Sequence, residues 1–377
     1  MKVLRLLFLE VALLLLVACQ SPHLGVEALS ELPEQLNEGW NTERWYFVNV
    51  EIDTPLTVVR EKNINGLATP ALFRIADRLI LTTFNGFLIS TDTLLKDVDR
   101  KRFSRELSTA PAFLRPLIFI ASEKGAYGLQ AYDLLHKKVS WRLKGHFSKS
   151  SPLIQKDLLI HASIRNEVLA LNPLNGETLW HYQFPQKILQ NLAMTDRFVV
   201  VCSGDGLLAV LNADDGQQNF MIELPEHVYT SPLILNQAIF IADLDGNVFK
   251  IDLPSGKIIN KVSLATPFYQ PFSTDGQSLF IMGSNGKLFA LTPDLKLKGK
   301  VLLKGVPTFP IVVTRKHLLI ATYQKKFYLV DKNHLKIVQE LNLKRRAVSC
   351  VPDKNSTVFL AMEYDRLLLL KAKGGRR

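Results

Sequence analysis

The stretch ALNPLNGETLW, residues 170–180, has the sequence of two β-strands joined by a tight turn. The first strand ends at Leu171, the second begins at Thr178, and Asn175-Gly176 between them is a pair that favours hairpin turns. Related stretches follow at intervals of 40 residues, VLNADDGQQNF from Val210 and KIDLPSGKIIN from Lys250. A fixed interval of this length indicates a structural repeat rather than a single hairpin.

A second landmark counts the repeats. It is a short segment, usually containing proline, that opens each unit: TPAL at Thr69, APAF at Ala110, SPLI at Ser151, NLAM at Asn191, SPLI at Ser231, QPFS at Gln270, FPIV at Phe309 and SCVP at Ser349. Successive starts are 39 to 41 residues apart, which gives eight units.

Each unit has the pattern of four short strands. An apolar run follows the landmark, then a turn, a third strand, a second turn and a more polar fourth strand. The first turns include Asn85-Gly86, Lys124-Gly125, Asp205-Gly206, Asp245-Gly246 and Asn285-Gly286. A β-sandwich also contains alternating short strands, but it has no reason to keep this period through eight units. The pattern predicts an all-β, eight-bladed β-propeller with four-stranded antiparallel blades.

The two ends of the chain predict how the ring closes. The eighth unit stops after its third strand, RLLLLKAK from Arg366, and so lacks one strand. Upstream of the first unit, PLTVVREKN from Pro55 has the composition of a fourth strand with no blade before it. We expect this N-terminal strand to complete the last blade, since closure leaves no open sheet edge. We expect RWYFVNVEID, from Arg44, to pack beside the closure.

The composition is that of a folded and basic protein. The 377 residues are 47% hydrophobic, which is enough for a full core, and the formal net charge is +11. Thirteen Lys or Arg face three carboxylates between Asp294 and Arg346. Such a sector on blades six to eight could lie against anionic headgroups, although most of these side chains should be solvated.

The N-terminus resembles a bacterial lipoprotein signal. Lys2 and Arg5 precede an apolar run that contains one carboxylate, Glu10, and Leu16-Val17-Ala18-Cys19 follows. The resemblance implies cleavage before Cys19 and a lipid attached to that cysteine. A retained membrane anchor and an ordinary secretory signal are the alternatives. We therefore expect a signal peptide over residues 1–18, a flexible lipidated tether over 19–43, a propeller over 44–373 and a basic tail over 374–377. In enteric bacteria, a lipoprotein with aspartate after the lipidated cysteine tends to stay at the inner membrane. Gln20 follows Cys19 in this chain, so we expect the protein at the outer membrane.

The other two cysteines do not form a disulfide scaffold. Cys202 and Cys350 each lie in an apolar run and are four repeat units apart. We expect both to be buried and free.

The repeat resembles the tryptophan-docking repeat of quinoprotein propellers. Trp141 and Trp180 occupy the docking position in units two and three, while Phe220 and Asn260 occupy it in units four and five. Together with the lipobox, eight such blades resemble the BamB family of outer-membrane protein assembly lipoproteins. The resemblance implies a non-enzymatic scaffold that is anchored at the periplasmic face of the outer membrane. It also implies that the scaffold binds a BamA-type barrel subunit, other barrel-assembly proteins and, in one view, unfolded outer-membrane proteins.

Two features depart from that family. The charge is strongly basic, and the loops that enter blades four and five, FPQKILQN from Phe184 and LPEHVYT from Leu224, are short. The sequence contains no motif that assigns the partner contacts to particular residues. We expect small exposed apolar residues in the loops at one ring end to carry them.

A search for catalytic and metal-binding motifs assigns no catalytic residue, cofactor or metal. The eight histidines have no pair at metal-ligand spacing and are expected at the surface or at strand ends: His23, His136, His146, His161, His181, His227, His317 and His334. A quinone-dependent dehydrogenase remains an alternative on the basis of the blades, although such enzymes carry adjacent cysteines that this chain lacks. A periplasmic ligand-binding propeller lipoprotein is the other alternative.

Lipidation of Cys19 can be tested directly. Cys19→Ala should leave an unprocessed or mislocalised precursor, because stable membrane attachment requires acyl chains on this residue. Globomycin treatment should have the same effect on precursor size. Unchanged size and membrane fractionation in both experiments would show that the lipobox prediction is wrong.

Overall fold

The computed structural model describes residues 35–372, and this part of the chain is all β-structure without a helix. Eight antiparallel sheets follow one another around a ring, one for each unit of the sequence repeat. The chain is thus an eight-bladed β-propeller, as predicted. The predicted signal peptide, Cys19 and the basic tail lie outside the described residues.

The strands are numbered β1 to β33 in chain order. Two of them precede the first repeat unit: β1 (Gln35–Leu36) and β2 (Leu56–Asn63). Blades 1 to 4 contain β3 (Ala68–Ile75), β4 (Arg78–Thr83), β5 (Phe87–Asp92), β6 (Asp99–Arg102), β7 (Ala112–Leu114), β8 (Leu117–Ala121), β9 (Tyr127–Asp133), β10 (Lys138–Lys144), β11 (Leu153–Gln155), β12 (Leu158–Ala162), β13 (Glu167–Leu171), β14 (Thr178–Gln183), β15 (Ala193–Met194), β16 (Phe198–Cys202), β17 (Leu207–Asn212) and β18 (Gln218–Glu223). Blades 5 to 8 contain β19 (Leu233–Leu235), β20 (Ala238–Ala242), β21 (Asn247–Asp252), β22 (Ile258–Ser263), β23 (Ser273–Thr274), β24 (Leu279–Met282), β25 (Lys287–Leu291), β26 (Leu297–Leu302), β27 (Val312–Val313), β28 (His317–Ala321), β29 (Lys326–Asp331), β30 (Ile337–Asn342), β31 (Ala347–Asp353), β32 (Thr357–Met362) and β33 (Arg366–Ala372).

The predicted closure is confirmed. The last sheet has the order β2-β33-β32-β31, so the N-terminal strand is the outermost strand of blade 8. Leu56 pairs with Ala372 at one end of the contact and Asn63 with Arg366 at the other, and a bulge lies between Val58 and Arg60. The ring therefore has no open blade edge at the junction between the chain ends.

Burial explains the composition of the strands. The second strand of a blade is covered on both faces by neighbouring blades, and all five residues of β8 are buried. The outermost strand has one face toward solvent, and in β10 exposed residues alternate with half-buried ones. Apolar runs in the inner strands and alternation in the outer strand are what these two environments require.

The polar residue in the repeat landmark links neighbouring blades. Ser151 Oγ accepts a hydrogen bond from the Ala110 amide at 3.1 Å, and Asn191 Oδ1 accepts one from the Ser151 amide at 2.8 Å. Ser231 Oγ does the same for the Asn191 amide at 3.1 Å. The side chain of one landmark thus satisfies a backbone donor of the preceding landmark around the inside of the ring.

The aromatic residue of the repeat braces each blade against the next. Trp180 Nε1 donates to the Ala213 carbonyl at 2.8 Å, and its ring covers the turn at Gly216. A Cβ at Gly216 would lie 2.5 Å from the ring, and the φ of +72° there also favours glycine. Trp141 covers Gly176 and Phe220 covers Gly256 in the same way. The aromatic ring of one blade therefore packs on the turn glycine of the next blade, and the contact requires both residues.

Residues before β2 differ from the prediction. The predicted flexible tether extends to residue 43, but β1 pairs with β7 and gives blade 2 a fifth strand. Asn37 and Thr42 are buried. The part of the tether over residues 35–43 is therefore packed structure, because its backbone groups find partners on the propeller.

The docking contact predicts a difference between two equivalent positions. Trp180→Ala removes a buried aromatic side chain and should lower the free energy of unfolding by about 3–5 kcal/mol. Asn260→Ala, at the same position in blade 5, removes only an exposed side chain whose Nδ2 donates to the Asp294 carbonyl at 2.7 Å. Its loss should be about 1 kcal/mol. Denaturant unfolding of both variants is the measurement, and equal losses would contradict the bracing role.

Candidate interaction surface

The blade topology gives the ring two different faces. Turns between the first and second strands, and between the third and fourth, emerge on one side, which we call the plug face. Turns between the second and third strands, and the links from one blade to the next, emerge on the other side, which we call the loop face. Antiparallel order makes this division obligatory for every blade.

A single segment, residues 35–53, runs across the plug face and is called the crossing segment. After β1 on blade 2 it contacts blades 3 to 8 in order. The hydrogen bonds are Ile154 N to Asn37 Oδ1 (2.8 Å), Met194 N to Thr42 O (2.9 Å), Ile234 N to Glu43 O (3.1 Å), Thr274 N to Trp45 O (2.9 Å), Val313 N to Tyr46 O (2.9 Å) and Asp53 N to Ser356 Oγ (2.9 Å). The crossing segment therefore pairs backbone donors of the innermost strands that would otherwise face the channel.

A buried ion pair fixes this segment in the channel. The Arg44 side chain is fully buried, and its Nη1 lies 3.6 Å from the Glu38 carboxylate. Arg44 Nε also donates to the Leu192 carbonyl. Glu38 in turn accepts hydrogen bonds from Asn191 Nδ2 at 3.1 Å and from Ser151 Oγ. The landmark side chains of blades 3 and 4 thus hold the carboxylate that neutralises the buried guanidinium.

Tyr46 belongs to the same network. Burial, reinforced by the Glu38 charge, raises the pKa of its hydroxyl far above the usual range. The hydroxyl therefore stays protonated and donates to Glu38 Oε1 at 3.3 Å. A cavity of about 40 Å³ remains between the crossing segment and the first strands of blades 1, 2, 7 and 8.

The loop face carries the exposed aromatic side chains. Among residues 35–372, all five exposed Phe and Tyr side chains lie on this face: Phe84, Tyr229, Tyr269, Tyr323 and Tyr364. Three exposed aliphatic side chains join them, Leu67, Ile164 and Leu189. The plug face has Leu94 and Leu174. Large exposed aromatic groups on one face of a ring make that face the candidate interaction surface.

Three of these residues form a row across successive links. Leu189, Tyr229 and Tyr269 lie in the links that enter blades 4, 5 and 6, and we call them the aromatic row. The Tyr229 and Tyr269 rings are 6.2 Å apart. Beneath them, Gln190 is buried and donates to the Val228 carbonyl at 2.6 Å, which ties two links together. This hydrogen bond therefore fixes the links that enter blades 4 and 5 relative to each other.

The aromatic row differs from the sequence-based expectation in side-chain size. Small apolar residues were expected to carry the contacts, and Ala126 and Ala265 are indeed exposed in loops of this face, but the row itself is built from leucine and tyrosine. Leu67, Leu189 and Tyr229 all precede their landmark by two positions. This shared position could have identified the exposed residues. It was missed because the landmark sequence does not indicate which neighbouring side chains are exposed.

The cysteines and most histidines are where the sequence placed them. Cys202 and Cys350 are buried and free, as predicted, and burial raises the pKa of the Cys202 thiol to about 12. His161 is the exception, since it is fully buried in β12. Burial lowers its pKa to about 4, so it is neutral, and its Nε2 lies 2.6 Å from the His146 carbonyl.

Two histidines approach one carboxylate in blade 3. His146 Nδ1 lies 2.8 Å from Glu167 Oε2, and His181 Nε2 lies 3.8 Å from Glu167 Oε1. Ser163 Oγ donates to the same carboxylate at 2.8 Å. Within the described part of the chain no group of three His, Cys, Asp or Glu side chains has an arrangement that could hold a metal ion. His23 lies outside that part.

The basic sector is partly neutralised within the ring. Lys332 pairs with Asp275 at 2.7 Å, and Lys326 pairs with Glu340 at 2.6 Å. Arg346 contacts Glu363 at 2.5 Å. These cations stabilise neighbouring strands and blades, which leaves fewer of them available for an anionic surface.

Comparison with known proteins places the chain in a family. A family model described as outer membrane protein assembly factor BamB matches residues 96–193 and 186–303, more than half of the chain. The chain belongs to the BamB family. A BamB from Legionella pneumophila (strain Paris) is 26% identical over 198 residues, which are 49% of this chain and 50% of that protein. A BamB from Shewanella oneidensis is 22% identical over 250 residues, 61% of this chain and 62% of that protein. The chain thus matches about half to three fifths of the length of these relatives.

Solved structures show the same fold. BamB from Moraxella catarrhalis has a TM-score of 0.66 and 15% identity, and the match covers 86% of this chain and 100% of that one. Quinohemoprotein alcohol dehydrogenase from Comamonas testosteroni has a TM-score of 0.73 and 9% identity, and the match covers 93% of this chain and 82% of that one. At these identities the likeness concerns the fold alone.

The central channel of this propeller has no room for a quinone cofactor beside the crossing segment. The crossing segment occupies the channel, and the cavity beside it is about 40 Å³, whereas ligand pockets measure roughly 300–1,000 Å³. Cys202 and Cys350 lie in blades 4 and 8, so they cannot form an adjacent pair. The described residues also include no helix that is both long enough and apolar enough to cross a membrane.

The buried ion pair predicts a large effect from one substitution. Glu38→Ala leaves the Arg44 guanidinium buried without its counter-charge and should lower the free energy of unfolding by about 3–5 kcal/mol. Glu51→Ala, on the same segment, removes an exposed carboxylate paired with Lys316 and should cost less than about 1 kcal/mol. Denaturant unfolding distinguishes the two. Similar small losses would mean that the crossing segment does not depend on this pair.

Proposed function

We propose that this protein is a non-enzymatic scaffold for the assembly of outer-membrane β-barrel proteins. In this proposal it is anchored by a lipid on Cys19 at the periplasmic face of the outer membrane. It binds a BamA-type barrel subunit, other barrel-assembly proteins and unfolded outer-membrane proteins through its surface. Membership of the BamB family supports the general role, and its relatives are named as outer membrane protein assembly factors.

The observation that carries the proposal is the aromatic row. Tyrosine side chains that are 49% exposed at both Tyr229 and Tyr269 provide large apolar area with few rotatable bonds. Such residues are enriched among those that dominate protein interfaces. Gln190 holds the links in place, so little ordering is needed on binding.

The first described strand is compatible with this surface. β1 begins at Gln35, which pairs with Leu114 beside the plug-face turn of blade 2. This strand lies away from the loop face, so the loop face is open to a partner.

The filled channel supports a scaffold rather than an enzyme. The channel is filled by the crossing segment, and the polar groups of Glu38, Arg44 and Tyr46 bind one another. In the described structure the Glu167 cluster is likewise satisfied by its own serine and histidine. What remains available to other molecules is the outer surface.

The aromatic row gives a direct test with a matched control. Leu189→Ala, Tyr229→Ala and Tyr269→Ala should each weaken binding to the purified periplasmic region of the BamA-type subunit by about 5- to 30-fold, which corresponds to roughly 1–2 kcal/mol. Leu174→Ala removes a side chain that is 70% exposed on the plug face and should leave the affinity unchanged. Calorimetric titration measures all four variants.

Cells provide the second arm of this test. A C-terminally tagged protein should recover the barrel-assembly complex, and loss of the protein should lower the amount of folded barrels without abolishing it. If the purified proteins do not bind at about 10⁻⁵ M, and cells without the protein keep normal barrel levels, the assembly role is wrong. A ligand-binding propeller lipoprotein would then be the better hypothesis.

A further inference from the structure

The loop face is built differently where the ring closes. Between blades 8 and 1 the link is the short segment 64–67, which follows the closure strand β2. Its backbone is held by both blades: Ile64 N donates to Asp365 O at 2.9 Å, Ala68 N to Tyr364 O at 2.7 Å, and Phe84 N to Leu67 O at 2.8 Å. The link is therefore rigid, and side chains of blades 7, 8 and 1 meet around it.

An open hollow of about 540 Å³ lies at this junction, and we call it the shelf. Asn65, Asn85 and Tyr364 line it, and within residues 35–372 none of their side chains makes a hydrogen bond. Asn85 Oδ1 is also buried without a partner. The exposed side-chain groups of Asn65 and Tyr364 are therefore available to hydrogen-bond a ligand in the hollow.

A separate apolar pocket of about 230 Å³ lies between blades 7 and 8 and shares Arg345 with the shelf. Val58, Leu343, Met362 and Leu368 provide its apolar lining, and Arg345 lines both the pocket and the shelf. The pocket and the shelf together are called the closure groove. The size of the apolar pocket suits one large apolar side chain, and the pocket and the shelf offer different chemistry on the two sides of Arg345.

The charge around the groove favours an anionic group. Arg345 Nη1 binds Asp365 Oδ1 at 2.9 Å, and its guanidinium lies 5.7 Å from the centre of the Tyr364 ring. Arg366 Nε is 3.6 Å from Glu61 and 3.5 Å from Asp365, and it makes no hydrogen bond in the described structure. Lys344, at the edge of the pocket, has no carboxylate partner within residues 35–372. Three cations thus share two carboxylates.

We propose that the closure groove binds an extended segment of another protein. An apolar side chain of that segment enters the apolar pocket, and a neighbouring carboxylate meets Lys344 and Arg345. Asn65 and Asn85 hydrogen-bond the main chain, which always offers both a donor and an acceptor. A saccharide would also suit Tyr364 and the two amides, but it has no group for the apolar pocket.

This inference does not depend on the role in barrel assembly. The closure groove belongs to blades 7, 8 and 1, whereas the aromatic row belongs to the links that enter blades 4, 5 and 6. A substitution in one surface leaves the side chains of the other in place. The two proposals can therefore fail separately.

The test uses the folded protein and an array of short peptides in which apolar and acidic positions are varied. Binding should concentrate in peptides that carry a large apolar residue close to Asp or Glu. For the best peptide, labelled for fluorescence polarisation, Asn85→Ala and Arg345→Gln should each raise Kd by about tenfold. Replacing its acidic residue by the corresponding amide should remove the effect of Arg345→Gln, as a direct contact requires.

The controls separate the groove from the rest of the loop face. Tyr229→Ala should leave peptide affinity unchanged, and Asn85→Ala should leave binding to the BamA-type subunit unchanged. In the unsubstituted protein, the peptide should slow hydrogen exchange at residues 64–67 and 345. This last measurement needs no variant, so misfolding of a variant cannot obscure it.

Three results would overturn the proposal. They are the absence of binding by every peptide at millimolar concentration, equal affinity in the unsubstituted protein and both groove variants, and protection by chitin oligosaccharides instead of peptides. The last result would assign the groove to a saccharide.

Discussion

The pairing of β2 with β33 is the contact on which the rest of the structure depends. It joins the two ends of the described chain through seven residue pairs, from Leu56 with Ala372 to Asn63 with Arg366. Gln339 of blade 7 secures the entry to this strand, because its amide binds both the N–H and the carbonyl of Leu56 at 2.7 Å. The entropy of closing so long a loop is offset only when the last blade is in place, which makes closure a property of the whole ring.

The same pairing fixes where the preceding residues end. β1 belongs to blade 2 and β2 to blade 8, and the hydrogen bonds of the crossing segment show that it takes the longer way round, over blades 3 to 7. It passes over the plug face and supplies partners to first strands whose inner edge would otherwise be unpaired. Arg44 and Glu38 enter the channel together, since either charge alone would be costly to bury. The channel of this propeller is therefore structural, and binding is left to the outer surfaces.

The repeated parts of the fold could be predicted from the sequence, and the unrepeated parts could not. The landmarks, the glycine turns and the tryptophan positions recur at a fixed interval, so a single physical explanation applies to each. The closure strand could be predicted because the eighth unit visibly lacks one strand. The crossing segment has no such signal: Asn37, Arg44 and Tyr46 look like tether residues until the backbone donors of the ring are seen to need them. The exposure of Tyr229 and Tyr269 was missed for a related reason. The repeat predicts that a link is present between two blades, but not which side chains of that link face solvent.

The arrangement of the two proposed surfaces allows both to be occupied at once. They share the loop face but stand on different blades, and each blade packs mainly against its two neighbours, as in other repeat proteins. The contacts between blades are rigid ones, such as Trp180 against the turn at Gly216 and the Ser151 to Asn191 hydrogen bond. Coupling between two sites requires an element with two arrangements whose equilibrium both sites influence. The described elements on both sides of the ring are held by strand pairing or buried contacts, so the free energies of binding at the two surfaces should simply add. A scaffold of this kind brings two partners together by geometry, because both are held on one rigid ring.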